Sequence, residues 1–336
     1  MFDDGLVAFD DIKQAWSGII VGNGASRAIA DTFAYASLYE QACSTKITNP
    51  LAAHEQGIFE ALGTRNFEQV LSALGTTRLV SNAFGHPIPT LEESYERIRI
   101  ALVEAVHDIH IPHAQIPEEI LLKIRAALLS YDYVYSTNYD LLIYWAVMQG
   151  PAEFRDYFFS GSIFDIGNTE VWQKSTKLLF LHGGLHLYRT RAGQTYKRTS
   201  GQWGNLLDDF GTPIPEQDGA VPLFITEGNS IDKLRSIYTS DYLSFAYTQF
   251  SRHSGPLVIF GHTLDEQFDH HLVNAIRGSK NRVLGIGIHP NTAGHSVSQL
   301  KALWFAKFHN FELNFFDSST HPLGLPELHA QPNVDL

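Results

Sequence analysis

"SGIIVGNGAS", residues 17–26, is the stretch on which the fold turns. Ile19, Ile20 and Val21 form an unbroken apolar run, Gly22 and Gly24 follow at once, and Ala25-Ser26 start a helix. A run without polar alternation suits a strand buried on both faces, as parallel strands are. The same order returns in "YDYVYSTNYD" (131–140), whose polar end leads into the apolar helix "LLIYWAV". "KLLFLHGG" (177–184) is a third such strand. "GPLVIFGHTLDEQFDHHLVNAI" (255–276) is a fourth with its helix. "NRVLGIGIHP" (281–290) is a fifth, followed by the helix around "SVSQLKALWFAKF", and "FELNFF" (311–316) a sixth. Short apolar strands alternating with helices predict an α/β fold, a Rossmann-like parallel sheet with helices on both faces.

Residues 27–130 hold no convincing strand, and 31–130 make up the segment between the first two strand units. "HEQGIFEALGTRNFEQVLSALG", "TLEESYERIRIALVEAVHDIH" and "IPEEILLKIRAALLSY" space their apolar residues at the helical period. This region is expected to be a helical insertion between the first and second strands, packed over the edge of the sheet. Residues 1–30 and 131–336 would then form the Rossmann-like domain, with 327–336 as a C-terminal tail. "LHLYRTRAGQTYKRT" (185–199) alternates around Ala192-Gly193 like a hairpin. "GQWGNLLDDFGTPIPEQDGAV" (201–221) reads as a loop.

The chain has 336 residues and is 44% hydrophobic, enough for a sizeable core. Its net charge of −12 argues against direct nucleic-acid binding. Cys43 is the single cysteine, which excludes an internal disulfide and any multi-cysteine zinc site. The acidic start "MFDDGLVAFDD" does not resemble a signal peptide, and no run is long enough to span a membrane. A cytoplasmic protein without membrane contact is expected.

Ligands of open parallel sheets bind outside the carboxyl ends of the strands, so the strand tips are the candidate site. Gly22, Asn23, Gly24 and Ser26 make a Gly-x-Gly turn, either a pyrophosphate cradle at a helix start or an ordinary tight turn. Arg27 stands where a third fingerprint glycine would be. Thr137, Asn138 and Asp140 could receive ribose hydroxyls, or simply cap the helix that follows. His182 is either a base that takes a proton near neutral pH or a core histidine before a turn. Gly183 and Gly184 remove side-chain bulk beside it, which would let a substrate come close. Gly261, His262, Thr263 and Asp265 form the fourth tip. There Asp265 is expected to cap the helix, with the other charges of "DEQFDHH" on its solvated face, although a metal cluster is the alternative.

Taken in order, these tips resemble the sirtuin family. Sirtuins carry G-A-G-x-S, T-Q-N-x-D and a strand ending in H-G; here stand G-N-G-A-S, S-T-N-Y-D and His182-Gly183. The similarity is greatest to divergent bacterial sirtuin-like domains with T-N-Y-D and a G-Y-S-x-x-D tip, and spans roughly residues 17–30 and 130–290. Protein-deacylating sirtuins also hold a four-cysteine zinc ribbon after the H-G strand, and that region has no cysteine here. The resemblance therefore implies the ribbon-free members, NAD⁺ glycohydrolases of anti-phage defence, with NAD⁺ as substrate and no metal. It implies that Asn138 positions ribose and the attacking water, that Asp140 orients the nicotinamide side or the loop around it, and that His182 is the base on a ribose hydroxyl or on the water. Gly22, Gly24 and Ser26 would hold the pyrophosphate, and Gly261, Thr263 and Asp265 the adenosine half. A homo-oligomer and a sensor partner such as a HerA-type ATPase are implied by the same analogy. The alternatives are a non-catalytic NAD⁺ or ADP-ribose binding module, a deacylase and a nuclease. Lys233 and Arg235, in "PLFITEGNSIDKLRSIYTSDYL" (222–243), either meet phosphate or the insertion, or lie on a solvated helix face.

Overall fold

The apolar runs become strands that pair in parallel throughout the main sheet. The structure, a computed structural model, describes residues 2–12, 14–34, 37–158, 162–167, 176–199, 205–210, 220–225, 229–292 and 294–330. After a 3-10 turn at Phe9–Asp11 come β1 (Gly18–Val21) and α1 (Asn23–Ile29). Helices α2 (Leu38–Ala42), α3 (Ala53–Ala61), α4 (Phe67–Ala83), α5 (Pro89–Ile109) and α6 (Glu118–Leu128) follow. Next come β2 (Tyr133–Ser136), α7 (Leu142–Met148), β3 (Phe154–Arg155) and β4 (Thr176–Phe180). A smaller unit contains β5 (Gly183–Arg189), β6 (Thr195–Lys197) and β7 (Val221–Phe224), before α8 (Ser230–Tyr238) and α9 (Asp241–Ser251). The chain returns to the main sheet with β8 (Leu257–Phe260), α10 (Glu266–Gly278), β9 (Val283–Ile288), α11 (Val297–Lys307) and β10 (Glu312–Asp317).

Seven strands form the main sheet in the order β10-β9-β8-β1-β2-β4-β3. Every pair is parallel. This is the expected Rossmann-like α/β architecture. β1 and β8 at its centre are buried along their whole length, which is why neither carries a polar residue. β10, at one edge, is partly exposed. The two-residue β3 at the other edge is too short to leave a pattern in the sequence.

The expected hairpin at 185–199 is present as antiparallel β5 and β6. β5 also pairs with β7, giving a three-stranded sheet in the order β6-β5-β7. The stretch expected to be a loop thus ends in a strand, and much of the rest lies outside the described residues.

Residues 37–130 are helical, with no strand among the described residues. α5 buries Ile98, Ala101, Leu102, Ala105, Val106 and Ile109, a stripe at the helical period. Beyond their contacts with one another, these helices meet the rest of the chain chiefly where α6 packs on α7 and α4 on β7. A buried ion pair between Glu68 of α4 and Arg189 of β5 adds a second link from α4 to the smaller sheet. The expected tail also begins later than 327. Leu328 is fully buried and the Ala330 N–H donates to Ile29 O at 2.8 Å, tying this stretch to α1; residues 331–336 lie outside the described residues. Among the described residues no helix is long and apolar enough to cross a membrane.

Candidate functional site

The strand order sets the four motif tips side by side at the carboxyl edge, in the order β8, β1, β2, β4. The direction of winding reverses between β1 and β8, and open α/β sheets offer their ligand crevice at such a point. Here that point is tightly closed. The Gly22 N–H donates to Phe260 O at 2.9 Å and the Gly24 N–H to Gly261 O at 2.8 Å. A Cβ on Gly22 would fall 2.6 Å from Gly261 O, and one on Gly24 2.6 Å from the Gly261 Cα. Gly261 itself sits at φ 65°, where side chains are disfavoured. The glycines of "GNGAS" and "GHT" are thus required first by two chain segments that touch backbone to backbone.

A buried network joins the tips of β1 and β2. The Asn138 Nδ2 donates to Gly22 O at 3.0 Å and to Ser26 Oγ at 2.8 Å. The Ser26 hydroxyl donates to Asp140 Oδ2 at 2.5 Å, and Asp140 Oδ1 accepts the Leu142 N–H at 3.0 Å. Asp140 therefore holds the first N–H of α7 from one residue before its N-cap, Leu141, whereas Asn138 works across the sheet. Burial pushes the Asp140 carboxyl above the usual range, against the bonds from Ser26 and Leu142. Thr137 Oγ1 donates to Val21 O at 3.1 Å, and Asn23, exposed on α1, holds Phe33 O at 3.1 Å.

His182 lies beyond the end of β4 and is 3% exposed. Its carbonyl accepts the Ile225 N–H at 2.8 Å, so the chain passes straight from the main sheet into the smaller one. Gly183 has φ 76°, and a Cβ there would meet Leu223 O at 2.2 Å. A Cβ on Gly184 would come within 2.8 Å of the His186 ring. The expectation that these glycines clear space for a substrate is corrected: they make room for β7 and for His186.

The partner of His182 was not foreseen. Its Nε2 lies 3.0 Å from the Nε2 of His271 on α10. The His271 Nδ1 is 3.1 Å from Ser230 Oγ, which also accepts the His271 backbone N–H at 2.8 Å. Asp269 is buried beside them and takes a bond from Lys233 Nζ at 2.9 Å. Residues two apart on a regular helix point in nearly opposite directions. Asp269 has φ −127° and ψ 21°, and this break in α10 lets it and His271 both turn inward. The expectation of a solvated face thus fails at these two residues, and at Lys233, while Arg235 is exposed and pairs with Asp232 at 3.5 Å. Burial holds His182 well below the ordinary histidine range, and the Lys233 charge adds to this. Burial lowers His271 to about 4. Burial would raise Asp269, but the charges of His262 and Lys233 hold it below the usual carboxylate range.

At the β8 tip, Asp265 caps α10 by accepting the Gln267 N–H at 2.8 Å. His262 Nδ1 accepts the Leu264 N–H at 3.0 Å, and exposed Thr263 presents its carbonyl to Lys307 Nζ at 2.9 Å. A cavity of about 370 Å³ lies elsewhere, between β4, α7 and the smaller sheet, lined by Tyr144, Phe180, His186 and Lys197 among others. His186 belongs to that wall and is held neutral by burial, at about 3.

A family model described as Domain of unknown function (DUF4917) matches residues 19–323. No curated protein matches the chain. Solved structures of Sir2 enzymes overlap with most of it. One described as "Structural Basis for the Mechanism and Regulation of Sir2 Enzymes" is 12% identical, covers 94% of this chain and 91% of its own, and has a TM-score of 0.41. "Structure of Sir2Tm bound to a propionylated peptide" has the same identity, coverage of 94% and 92%, and a TM-score of 0.40. Values this low leave activity and ligand to be argued from the chain's own residues.

Proposed function

This chain belongs to the DUF4917 family, and we propose that it is an NAD⁺ glycohydrolase, releasing nicotinamide and ADP-ribose. The observation that supports this most is the meeting of four motif-bearing tips at one carboxyl edge, beside the point where the winding reverses. In the reaction the bond between nicotinamide and ribose breaks, and nicotinamide leaves with the bonding electrons. Positive charge develops on the ribose, water adds to it, and water's proton passes to a base. Asn138 would hold ribose and water, and His182, uncharged but made a weak base by burial and the Lys233 charge, would take the proton. The Gly22–Gly24 turn with Ser26 would face the pyrophosphate, and the tip Gly261–Asp265 the adenosine. Asp140, bonded to Ser26 and to the start of α7, is a positioning residue rather than a direct contact. No metal is needed in these steps. Such an activity empties a cell of NAD⁺, the role of an effector in anti-phage defence by abortive infection.

A second reading, a module that binds NAD⁺ without turnover, is favoured by burial. Asn138 and His182 are 6% and 3% exposed, and both already bond within the protein. Proton NMR of NAD⁺ incubated with the protein separates the two. Loss of the nicotinamide-ribose anomeric signal supports cleavage, broadening without loss supports the module, and an unchanged spectrum contradicts both.

A further inference from the structure

We propose that His182, His271 and Asp269 form a binding site for a divalent transition ion such as Zn²⁺. Two imidazoles and a carboxylate are a ligand set that such ions favour. The ligand atoms of all three residues lie within 4.8 Å of one another, and all three residues are buried. The two Nε2 atoms are 3.0 Å apart. Two nitrogens bound tetrahedrally at about 2.0–2.1 Å from one zinc stand roughly 3.3 Å apart, so the rings need move only slightly.

The surroundings also suit an ion. Ser230 Oγ engages the Nδ1 of His271 and its backbone N–H, which aims Nε2 at His182. Ligating histidines are ordinarily oriented in this way through their other ring nitrogen. Asp269 reaches the cluster only because α10 departs from helical geometry there. Its charge is now balanced by Lys233 Nζ at 2.9 Å. Lys233 competes with a bound cation, so its removal strengthens binding. An ion on His182 also occupies the nitrogen a base would use. Zn²⁺ therefore inhibits NAD⁺ cleavage, a consequence that rests on the glycohydrolase reading, whereas ion binding itself does not.

The test uses the full chain, stripped with a chelator and titrated with Co²⁺ in the absence of NAD⁺. One equivalent of Co²⁺ is expected, with visible bands that Zn²⁺ abolishes. His271→Ala and Asp269→Asn, checked as folded by circular dichroism, are expected to weaken binding at least about tenfold. Lys233→Gln is expected to tighten it, a gain that a loss of folding cannot mimic. Absence of stoichiometric uptake by the wild type overturns the proposal, as does uptake unchanged in all three variants. Because no NAD⁺ is present, that failure leaves the glycohydrolase reading standing. Nicotinamide release absent from the ion-free chain, when the same chain takes up one equivalent of Co²⁺, does the reverse.

Discussion

His182 is held by a hydrogen bond to another buried histidine, and this changes what its substitution reports. His182→Ala leaves the Nε2 of His271 without a partner, at about 1–3 kcal/mol. Loss of activity in this variant is therefore expected together with a lowered Tm, and the rate has to be normalised to folded protein. Gly183→Ala is a sharper structural probe. At φ 76°, with Leu223 O 2.2 Å from the added Cβ, it is expected to destabilise by at least about 2 kcal/mol in urea. The motif glycines were easy to read as open space for a ligand, because a sequence shows a missing side chain but not what fills its place. That Asp140 bonds the start of an apolar helix is legible from its position just before it. The bond from Asn138 to Gly22 was not, since it crosses 116 residues.

At the scale of elements, α8 and α10 are joined by the buried pair Lys233–Asp269. Lys233→Met alone strands a buried carboxylate and is expected to cost about 3–5 kcal/mol, whereas Lys233→Met with Asp269→Leu recovers most of the loss. A double-mutant cycle in urea reads the difference; equal losses in both variants would show that the pair carries no such penalty. β1, β2, β4, β8 and β9 were legible because each is a run of apolar and aromatic residues that stops at a turn or polar tip, whereas β10 interrupts its run with Glu312 and Asn314. β7 was hidden by Pro222 and by its distance from the hairpin it joins. The break at Asp269 was hidden for a different reason: no proline or glycine marks it, and tertiary packing imposes it.

For the whole molecule, buried neutral histidines set the response to acid. His110 accepts the Leu141 N–H on Nε2 while its Nδ1 faces Ile111 O, and burial lowers it to about 4. His321 accepts the Leu323 N–H on Nδ1 and meets Tyr131 Oη at 2.8 Å; burial lowers it to about 3. A proton on either ring removes an acceptor. Their folded values lie below the unfolded value of 6.5, so their contribution is complete above pH 6.5 and is lost as pH falls toward 4 for His110 and toward 3 for His321. The shifts correspond to on the order of 3 kcal/mol for His110 and about 5 kcal/mol for His321, against a typical total of about 5–15. Acid unfolding followed by circular dichroism is expected to have its midpoint between pH 6.5 and pH 4. A fold unchanged down to pH 3 would contradict these protonation states.

The measurement that bears most directly on function is nicotinamide release from NAD⁺ by the purified chain, separated by chromatography, beside folded His182→Ala and Asn138→Ala. Release by the wild type, with loss of most of the rate in both variants, is the predicted result. Release at the same rate from His182→Ala, or none from the wild type, would contradict the account.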